Sequence, residues 1–304
     1  MIRRSSPRAG VWRPFPTTKP WSRRPRGDSF EKPHIQEKCG CYHQCVFCYA
    51  RRTHSYLEED GVARWGSRLY VKVNAPAVVR TELAKRGWKR EPVAIGTVTD
   101  PYQPLEGRYG ITRGILEAMR DYRSPANLIT RSPLIVRDVD VLADLARVAS
   151  THVSISIATL DERIAREIEP TVAPPRQRLR AVRMLAEAGI HVNVALAPVL
   201  PQITDTPESI DAVVKAARDA GAAKVWHNTL YLHDVTRDAF FGYLREHRPE
   251  LIAQYAQLYR GTYAPRAVAD RVEEEVHGAL ERNPARALPR IRSEATVQLS
   301  LLSP

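Results

Sequence analysis

Three of the four cysteines of this chain lie in one short stretch, "CYHQCVFCYARRTH", which covers residues 41–54. Cys41, Cys45 and Cys48 are separated by three and then by two residues, and the fourth cysteine, Cys39, lies just outside. Cysteine thiolates bind zinc and iron–sulfur clusters, and a Cys-x-x-Cys pair can also exchange disulfides. The spacing therefore raises three possibilities: a zinc site, a redox pair and a cubane cluster.

A structural zinc site needs four ligands in tetrahedral geometry, usually supplied as two separated pairs. Cys39 or His43 could complete a set, but no second pair follows in the sequence. A redox Cys-x-x-Cys at 45–48 would open a helix of a thioredoxin-like unit, and no such pattern surrounds it. Three thiolates on one loop leave one iron of a [4Fe–4S] cluster without a protein ligand, open to a chelating substrate or cofactor. We therefore favour the cluster over zinc.

Short apolar runs alternate with longer amphipathic segments after the cysteines. The runs predict strands over 91–100, 126–132, 151–159, 191–200 and 224–232, and the segments predict helices over 110–123, 138–149, 175–188, from 206 and from about 236. This alternation indicates an α/β fold with a parallel sheet. An additional strand near the cysteines makes about six strand–helix units, arranged as a doubly wound sheet or as a complete or partial barrel.

The predicted strands end in polar or conformationally special residues, and the carboxyl ends of parallel strands face one common site. These residues are Thr99-Asp100, Arg131-Ser132, Ser156, Pro198 and His227-Asn228. The segment "TVTDPYQP" (97–104) places Asp100 at the mouth of the predicted site, with Tyr102 close behind. We predict that Asp100 and Tyr102 are catalytic, although Asp-Pro and Gln-Pro are also ordinary turn dipeptides.

The positive charge of the chain is concentrated at its start. The formal net charge is +12, and residues 1–30 carry eight Lys or Arg and one Asp. Many prolines and little apolar periodicity predict an extended basic arm over residues 1–33. Such an arm suits a polyanion such as nucleic acid, or else it is a solubilising tail. The α/β unit is then expected over residues 34–235, and a helical extension with a tail over residues 236–304.

The sequence offers no sign of membrane insertion or secretion. No apolar run approaches the roughly 18 residues that span a bilayer. The arginine pairs near the start precede no apolar segment of a secretion signal. We expect a cytoplasmic protein without membrane contact, in which clustered cysteines serve metal binding or catalysis more often than disulfides.

The cysteine spacing, with Phe47 before the last cysteine and the strand–helix pattern after it, resembles the signature of the radical S-adenosylmethionine (SAM) superfamily. Within it, "GCYHQCVFCYAR", "VKVNAP", "GTVTDPYQPLEGRYGITRGILE" and "TRSPLIVRD" resemble the bacterial proteins grouped with spore photoproduct lyase, over about residues 40–235. The resemblance implies a partial (β/α)6 TIM-like barrel of the radical SAM type, preceded by the basic arm and followed by the helical extension.

The resemblance also implies a function. Cys41, Cys45 and Cys48 would hold one [4Fe–4S] cluster, whose open iron binds SAM. An electron from a reductant such as flavodoxin or ferredoxin would cleave SAM to a 5′-deoxyadenosyl radical, which abstracts hydrogen from a substrate. The implied cofactor-binding residues are Phe47 near the adenine, Arg131, Ser132 and Ser156 at the cofactor's carboxylate, and Pro198 along the adenosyl group.

The chain departs from the lyase pattern at one position. A cysteine returns hydrogen to the product radical in spore photoproduct lyase, and the matching residue here is Thr97. A threonine O–H bond is too strong to donate hydrogen readily, so repair of the spore lesion is not expected. No cysteine follows Cys48, which limits the chain to one cluster. The sequence does not decide whether the substrate is a nucleic acid, a peptide or a small molecule. The alternative to a radical SAM enzyme is a non-enzymatic, zinc-bearing nucleic-acid-binding protein.

Overall fold

The computed structural model describes residues 11–17, 21–22, 33–56, 65–285 and 291. The strands in this part of the chain are β1 (Val11–Phe15), β2 (Trp21–Ser22), β3 (His34–Ile35), β4 (Lys38–Cys39), β5 (Arg68–Lys72), β6 (Val93–Ile95), β7 (Ala126–Thr130), β8 (Thr151–Ser156), β9 (His191–Val199) and β10 (Lys224–Thr229). The helices are α1 (Ala75–Leu83), α2 (Leu105–Tyr109), α3 (Ile111–Asp121), α4 (Val139–Val148), α5 (Glu162–Ile168), α6 (Pro175–Glu187), α7 (Pro207–Asp219), α8 (Asp234–His247), α9 (Ile252–Leu258) and α10 (Arg266–Arg282). Three 3-10 segments cover Tyr49–Tyr56, Pro133–Asp138 and Pro249–Leu251.

The main sheet has seven strands in the order β10-β9-β8-β7-β6-β3-β2. Neighbouring strands from β3 to β10 run parallel, and β2 runs antiparallel to β3 at the edge. The six parallel strands confirm the predicted number, and β3, just before the cysteines, is the additional strand. The order has two ends, as a partial barrel requires, so the predicted fold class is confirmed.

The strand sequences explain which face of the sheet the helices cover. Val153 of β8 and Val194 of β9 are buried in one core with Leu145 of α4 and Leu185 of α6. Because side chains alternate along a strand, residues such as Ser154 lie on the opposite face. The apolar face therefore packs under the helices, and the more polar face is turned to the inside of the barrel.

Two helix boundaries form as the sequence predicts. Thr206 precedes Pro207 at the start of α7, and its side chain accepts a hydrogen bond from the Ser209 amide at 3.2 Å. At the end of α6, Gly189 has a φ of 79°, and the Ile190 amide donates to the Leu185 carbonyl at 3.1 Å. This is the Schellman ending that a glycine at this position favours.

The ends of the chain are more integrated than the sequence predicts. Within the expected arm, β1 pairs with β5 in a second sheet of order β1-β5-β4, and β2 pairs with β3. Two segments of the arm therefore belong to the sheets, whereas residues 1–10, 18–20 and 23–32 lie outside the described residues. In the C-terminal extension, α10 packs on α7 and contributes Val272 and Val276 to the main core.

The predicted tail after this extension falls mostly on residues 286–290 and 292–304, which lie outside the described residues. Ile291 is described, and its amide donates to the Gly189 carbonyl at 2.9 Å. Across the described helices, none combines the length and the apolar character that crossing a bilayer requires.

Candidate active site

A cavity opens at the carboxyl ends of β6 and β7. Cys41, Cys45 and Cys48 line it together with Asp100 and Arg131. It leaves about 460 Å³ of space that is free of protein atoms and open to solvent. The fold thus brings the cysteine loop and two predicted strand-end residues to one place.

The three thiols of the cavity are buried or half-buried. Burial raises the pKa of all three, and with a smaller effect of Asp100 it raises the pKa of Cys41 to about 12. Arg131 and Arg51 lie close enough to Cys48 to oppose this increase and favour its thiolate. Such thiols keep their protons until a cation replaces them, so the loop suits a metal-bound state.

The donor set fits an iron–sulfur cluster. Three thiolates face one open cavity, and two guanidinium groups offset their negative charge. In the described part of the chain, no three His, Cys, Asp or Glu side chains are grouped tightly enough for a single metal ion. A cubane does not need such a group, because each of its cysteine ligands binds a different iron. Cys39 is not among the cavity-lining residues, and its sulfur accepts a weak hydrogen bond from Gln36 at 3.8 Å.

Gln103, in the segment "TVTDPYQP", holds the cysteine loop. Its Oε1 accepts a hydrogen bond from the Tyr42 amide at 2.9 Å, and its Nε2 donates to the Gly40 carbonyl at 3.3 Å. The fully buried Lys38 also ties the chain before the cysteine loop to this segment and to α2. Its Nζ donates to the Pro101 carbonyl and to Glu106 Oε2, both at 2.9 Å. These bonds fix the backbone on both sides of Cys41.

Asp100 is an acceptor of several hydrogen bonds at the cavity wall. Its carboxylate accepts from the Thr130 hydroxyl and the Arg131 amide, both at 2.7 Å, and from the Tyr102 amide at 2.8 Å. His43 Nε2 lies 3.4 Å from Asp100 Oδ2. Burial opposes ionisation, yet His43, the Arg131 amide and the Thr130 hydroxyl lower the pKa of Asp100 to about 2. A carboxylate with so low a pKa is a poor general base, and its contacts are those of a positioning group.

Tyr102, the second residue predicted to be catalytic, lies elsewhere. Its side chain is fully buried in the main core and is not among the cavity-lining residues. Burial and the nearby Asp138 carboxylate raise the pKa of Tyr102 well above its ordinary value. The catalytic role of Tyr102 stays a prediction that this placement does not favour.

Arg131 connects the cavity to the strand ends beside it. Its Nε donates to Glu169 Oε1 at 2.8 Å and its Nη2 to the Ala197 carbonyl at 3.2 Å. Its guanidinium lies 5.4 Å from the centre of the Phe47 ring. Burial alone would lower the pKa of Arg131, but Cys45 and Glu169 raise it above its ordinary value. Arg131 is therefore a permanent cation at the cavity wall.

The other predicted cofactor residues do not line the cavity themselves. Phe47 is buried in a second apolar cluster with Cys45, and Ser156 and Pro198 are buried at the ends of β8 and β9. Ser132 caps the 3-10 segment that follows it, since its hydroxyl accepts a hydrogen bond from the Leu134 amide at 3.3 Å. Their roles toward a cofactor stay predictions.

Two buried charged residues next to Arg131 were not predicted. Glu169 is 2% exposed, and its Oε2 accepts a hydrogen bond at 2.6 Å from Arg178, which is 1% exposed. The sequence does carry a signal for Arg178. It lies at helical spacing with Val182 and Leu185 on the buried face of α6, where an unpaired arginine would be costly. Such an arginine requires a buried partner.

The chain belongs to the radical SAM superfamily, whose family model, "Radical SAM superfamily", matches residues 38–211. An uncharacterized protein of Mycobacterium tuberculosis (strain ATCC 25618 / H37Rv), Rv2578c, is 37% identical over 238 residues, which cover 78% of this chain and 70% of that protein. An uncharacterized protein of Methanocaldococcus jannaschii, MJ0683, is 27% identical over 219 residues, which cover 71% of this chain and 76% of that protein.

Solved structures agree on the fold. A spore photoproduct lyase with bound AdoMet and dinucleoside spore photoproduct superposes with a TM-score of 0.64 at 14% identity, covering 84% of this chain and 75% of that one. Streptococcus suis SuiB bound to S-adenosylmethionine gives a TM-score of 0.50 at 15% identity, covering 86% of this chain and 49% of the SuiB chain. The family and the fold define a radical SAM enzyme that resembles spore photoproduct lyase, as the sequence indicates.

Proposed function

We propose that Cys41, Cys45 and Cys48 hold a single [4Fe–4S] cluster and that SAM binds at its open iron. The observation that carries this proposal is the cavity in which the three thiols and Arg131 meet at the end of β7. When bound, the cluster and SAM supply a 5′-deoxyadenosyl radical that abstracts a hydrogen atom from the substrate. Membership of the superfamily argues against the non-enzymatic, zinc-bearing alternative.

The residues of the chain bind and orient the cofactors. Arg51 and Arg131 offset the charge of the thiolates, and Asp100 fixes the Arg131 backbone. Arg131 Nη1 makes no hydrogen bond within the described residues, so it is available to the carboxylate of SAM. Phe47 and Pro198 would contact the adenosyl part, and Ser132 and Ser156 would act at the carboxylate.

We further propose a nucleic acid as the substrate, delivered by the basic arm. The eight Lys or Arg of residues 1–30 support this, and the similar lyase structure contains a dinucleoside. Thr97, which the resemblance matches to the hydrogen-returning cysteine of spore photoproduct lyase, lines the cavity. The reaction therefore differs from lesion repair in its hydrogen return step. A flavodoxin or ferredoxin would supply the electron, and a peptide or small molecule is the competing substrate class.

Anaerobic reconstitution tests the proposal. About four iron and four sulfide per chain, and 5′-deoxyadenosine on addition of dithionite and SAM, are expected for one cubane. One zinc per chain, without visible absorption and without 5′-deoxyadenosine, would contradict it. Isotope-labelled nucleic acid, peptide and small-molecule pools then report which class receives or loses hydrogen.

A further inference from the structure

Arg131, which follows β7, Glu169, which follows α5, and Arg178 of α6 form a buried ion triad at the carboxyl end of the sheet. Glu169 accepts from Arg131 Nε through Oε1 and from Arg178 Nη2 through Oε2. The side chains of Glu169 and Arg178 are each 1% exposed, whereas that of Arg131 is 23% exposed and reaches the cavity. The triad therefore has two members enclosed in protein and one at the cavity wall.

The backbone contacts of the triad connect the ends of three adjacent strands. Arg178 Nη1 donates to the Ser156 carbonyl at the end of β8, at 2.8 Å. Arg131, which follows β7, donates to the Ala197 carbonyl of β9, at 3.2 Å. Next to Glu169, the Ile168 carbonyl accepts from the Val46 amide of the cysteine loop, at 3.0 Å. The triad thus links the ends of β7, β8 and β9, and Ile168, the residue before Glu169, is hydrogen-bonded to the cysteine loop.

We propose that Glu169 and Arg178 are positioning residues that aim Arg131 at the carboxylate of SAM. The inference rests on the proposed function and adds two residues that have no contact with the cavity. Glu169 neutralises one of the two arginines, so the triad keeps one net positive charge. That charge lies at the cavity wall, because Arg131 is the member of the triad that lines the cavity. Its Nε donates to Glu169 and one N–H of Nη2 donates to Ala197, which leaves Nη1 and the second N–H of Nη2 for a ligand.

A purely structural role predicts something else. Buried ion pairs frequently contribute little net stability, although removing one partner is costly. A structural triad would tolerate any change that keeps its charges and the fold. A positioning triad would not, because a charge-assisted hydrogen bond to a carboxylate depends on the orientation of the guanidinium.

Two charge-conserving variants separate these roles. Glu169→Asp keeps the negative charge but withdraws the carboxylate by about 1.5 Å, one C–C bond. Arg178→Lys keeps the positive charge but cannot bind Glu169 and the Ser156 carbonyl through one planar fork. Glu167→Asp is the matched control, because Glu167 pairs with Arg163 at 3.1 Å and with Arg248 at 2.9 Å, away from the cavity.

The measurement is the affinity of the cluster-loaded variants for SAM and for decarboxylated SAM, by anaerobic titration, with iron content and Tm as checks. We expect Glu169→Asp and Arg178→Lys to bind SAM about tenfold more weakly. Their affinity for decarboxylated SAM should stay within twofold of the parent, and Glu167→Asp should change neither. This dependence on the ligand's carboxylate is a result that a structural role would not produce.

Several results would overturn the inference. The first is an unchanged affinity for SAM in both variants, and the second is a loss of affinity for decarboxylated SAM equal to the loss for SAM. The third is an equal loss of SAM affinity in Glu167→Asp. The fourth is failure of both variants to fold or to load the cluster. Arg131→Ala distinguishes the two levels of the proposal. If it binds SAM as the parent does, the assignment of Arg131 itself fails. If Arg131→Ala weakens SAM binding but Glu169→Asp and Arg178→Lys do not, only the positioning role fails.

Discussion

The side-chain oxygen of Gln103 accepts a hydrogen bond from the backbone amide of Tyr42 at 2.9 Å, one residue after the first cysteine of the cluster motif. The amide nitrogen of Gln103 also donates to the Gly40 and Asp100 carbonyls, at 3.3 and 3.2 Å. Gln103 is fully buried, so water cannot replace these partners. The loop that presents Cys41 is therefore shaped by a residue more than sixty positions away.

Replacing Gln103 by Leu should loosen the cysteine loop. The change leaves the Tyr42 amide and the Gly40 carbonyl buried without partners, which costs about 1–3 kcal/mol per group. We expect a lower free energy of unfolding in denaturant titrations and faster loss of iron to a chelator. Gln177→Leu, on the exposed side of α6, is the control. Equal iron retention in both variants would refute the role of Gln103.

Each of the three cluster cysteines should be indispensable. Replacing Cys41, Cys45 or Cys48 by Ala should abolish the brown chromophore and the cleavage of SAM, because a cubane with two protein ligands is poorly retained. Cys39→Ala should retain both, since Cys39 does not line the cavity. Iron analysis and visible absorption report the result. Loss of the cluster in Cys39→Ala, with one of the other three dispensable, would reverse the ligand assignment.

Arg131→Ala should weaken SAM binding without preventing cluster assembly. A hydrogen bond to a charged group contributes about 1.5–3 kcal/mol, which corresponds to roughly a ten- to hundredfold change in affinity. Arg113→Ala is the matched control, because Arg113 pairs with Asp140 at 2.7 Å on the surface. Titration of the reconstituted proteins with SAM provides the measurement. Equal affinities in the two variants would contradict the assignment.

Gly96 should not tolerate a side chain. Its φ is +88°, and a Cβ atom would lie 2.1 Å from the Ile129 carbonyl oxygen of the neighbouring strand. Gly96→Ala should lower the free energy of unfolding by about 3 kcal/mol or more, from the strained backbone and the clash together. Gly107→Ala in α2 meets no atom within 4 Å and should be neutral or slightly stabilising. Thermal unfolding of the pair distinguishes the two sites.

The basic arm should contribute to nucleic-acid binding rather than to chemistry. Deleting residues 1–10 removes Arg3, Arg4 and Arg8 but leaves β1 in place. Uncoupled cleavage of SAM should be nearly unchanged. If each of the three cations contacts a phosphate, the log–log salt slope of binding should flatten by about 0.7–0.9 per contact. Full-length protein without affinity for nucleic acid at low salt would exclude this partner and favour a peptide or small molecule.

Glu169 and Arg178 show what the sequence could not supply. Arg178 is recognisable as a charge on an apolar helix face, but its partner lies nine positions earlier, just after a different helix. A pairing of this kind depends on how α5 and α6 fold onto the sheet. The same limit applies to Asp100. The sequence shows only that a polar residue follows a predicted strand. That its carboxylate accepts hydrogen bonds from Thr130, Arg131 and Tyr102 is visible only in the folded structure.

The sequence by itself determined the features that local spacing and periodicity encode: three cysteines on one loop, strands alternating with helices, the Thr206 and Gly189 helix boundaries, and a parallel sheet of six strands. Tertiary structure alone decided which side chains meet. It placed β1 and β2 in the sheets, Tyr102 in the core, and Gln103 and the buried ion triad around the cysteine loop. The physical reason is that periodicity specifies which face of an element is buried, whereas a hydrogen bond between distant residues requires the packing of several elements at once.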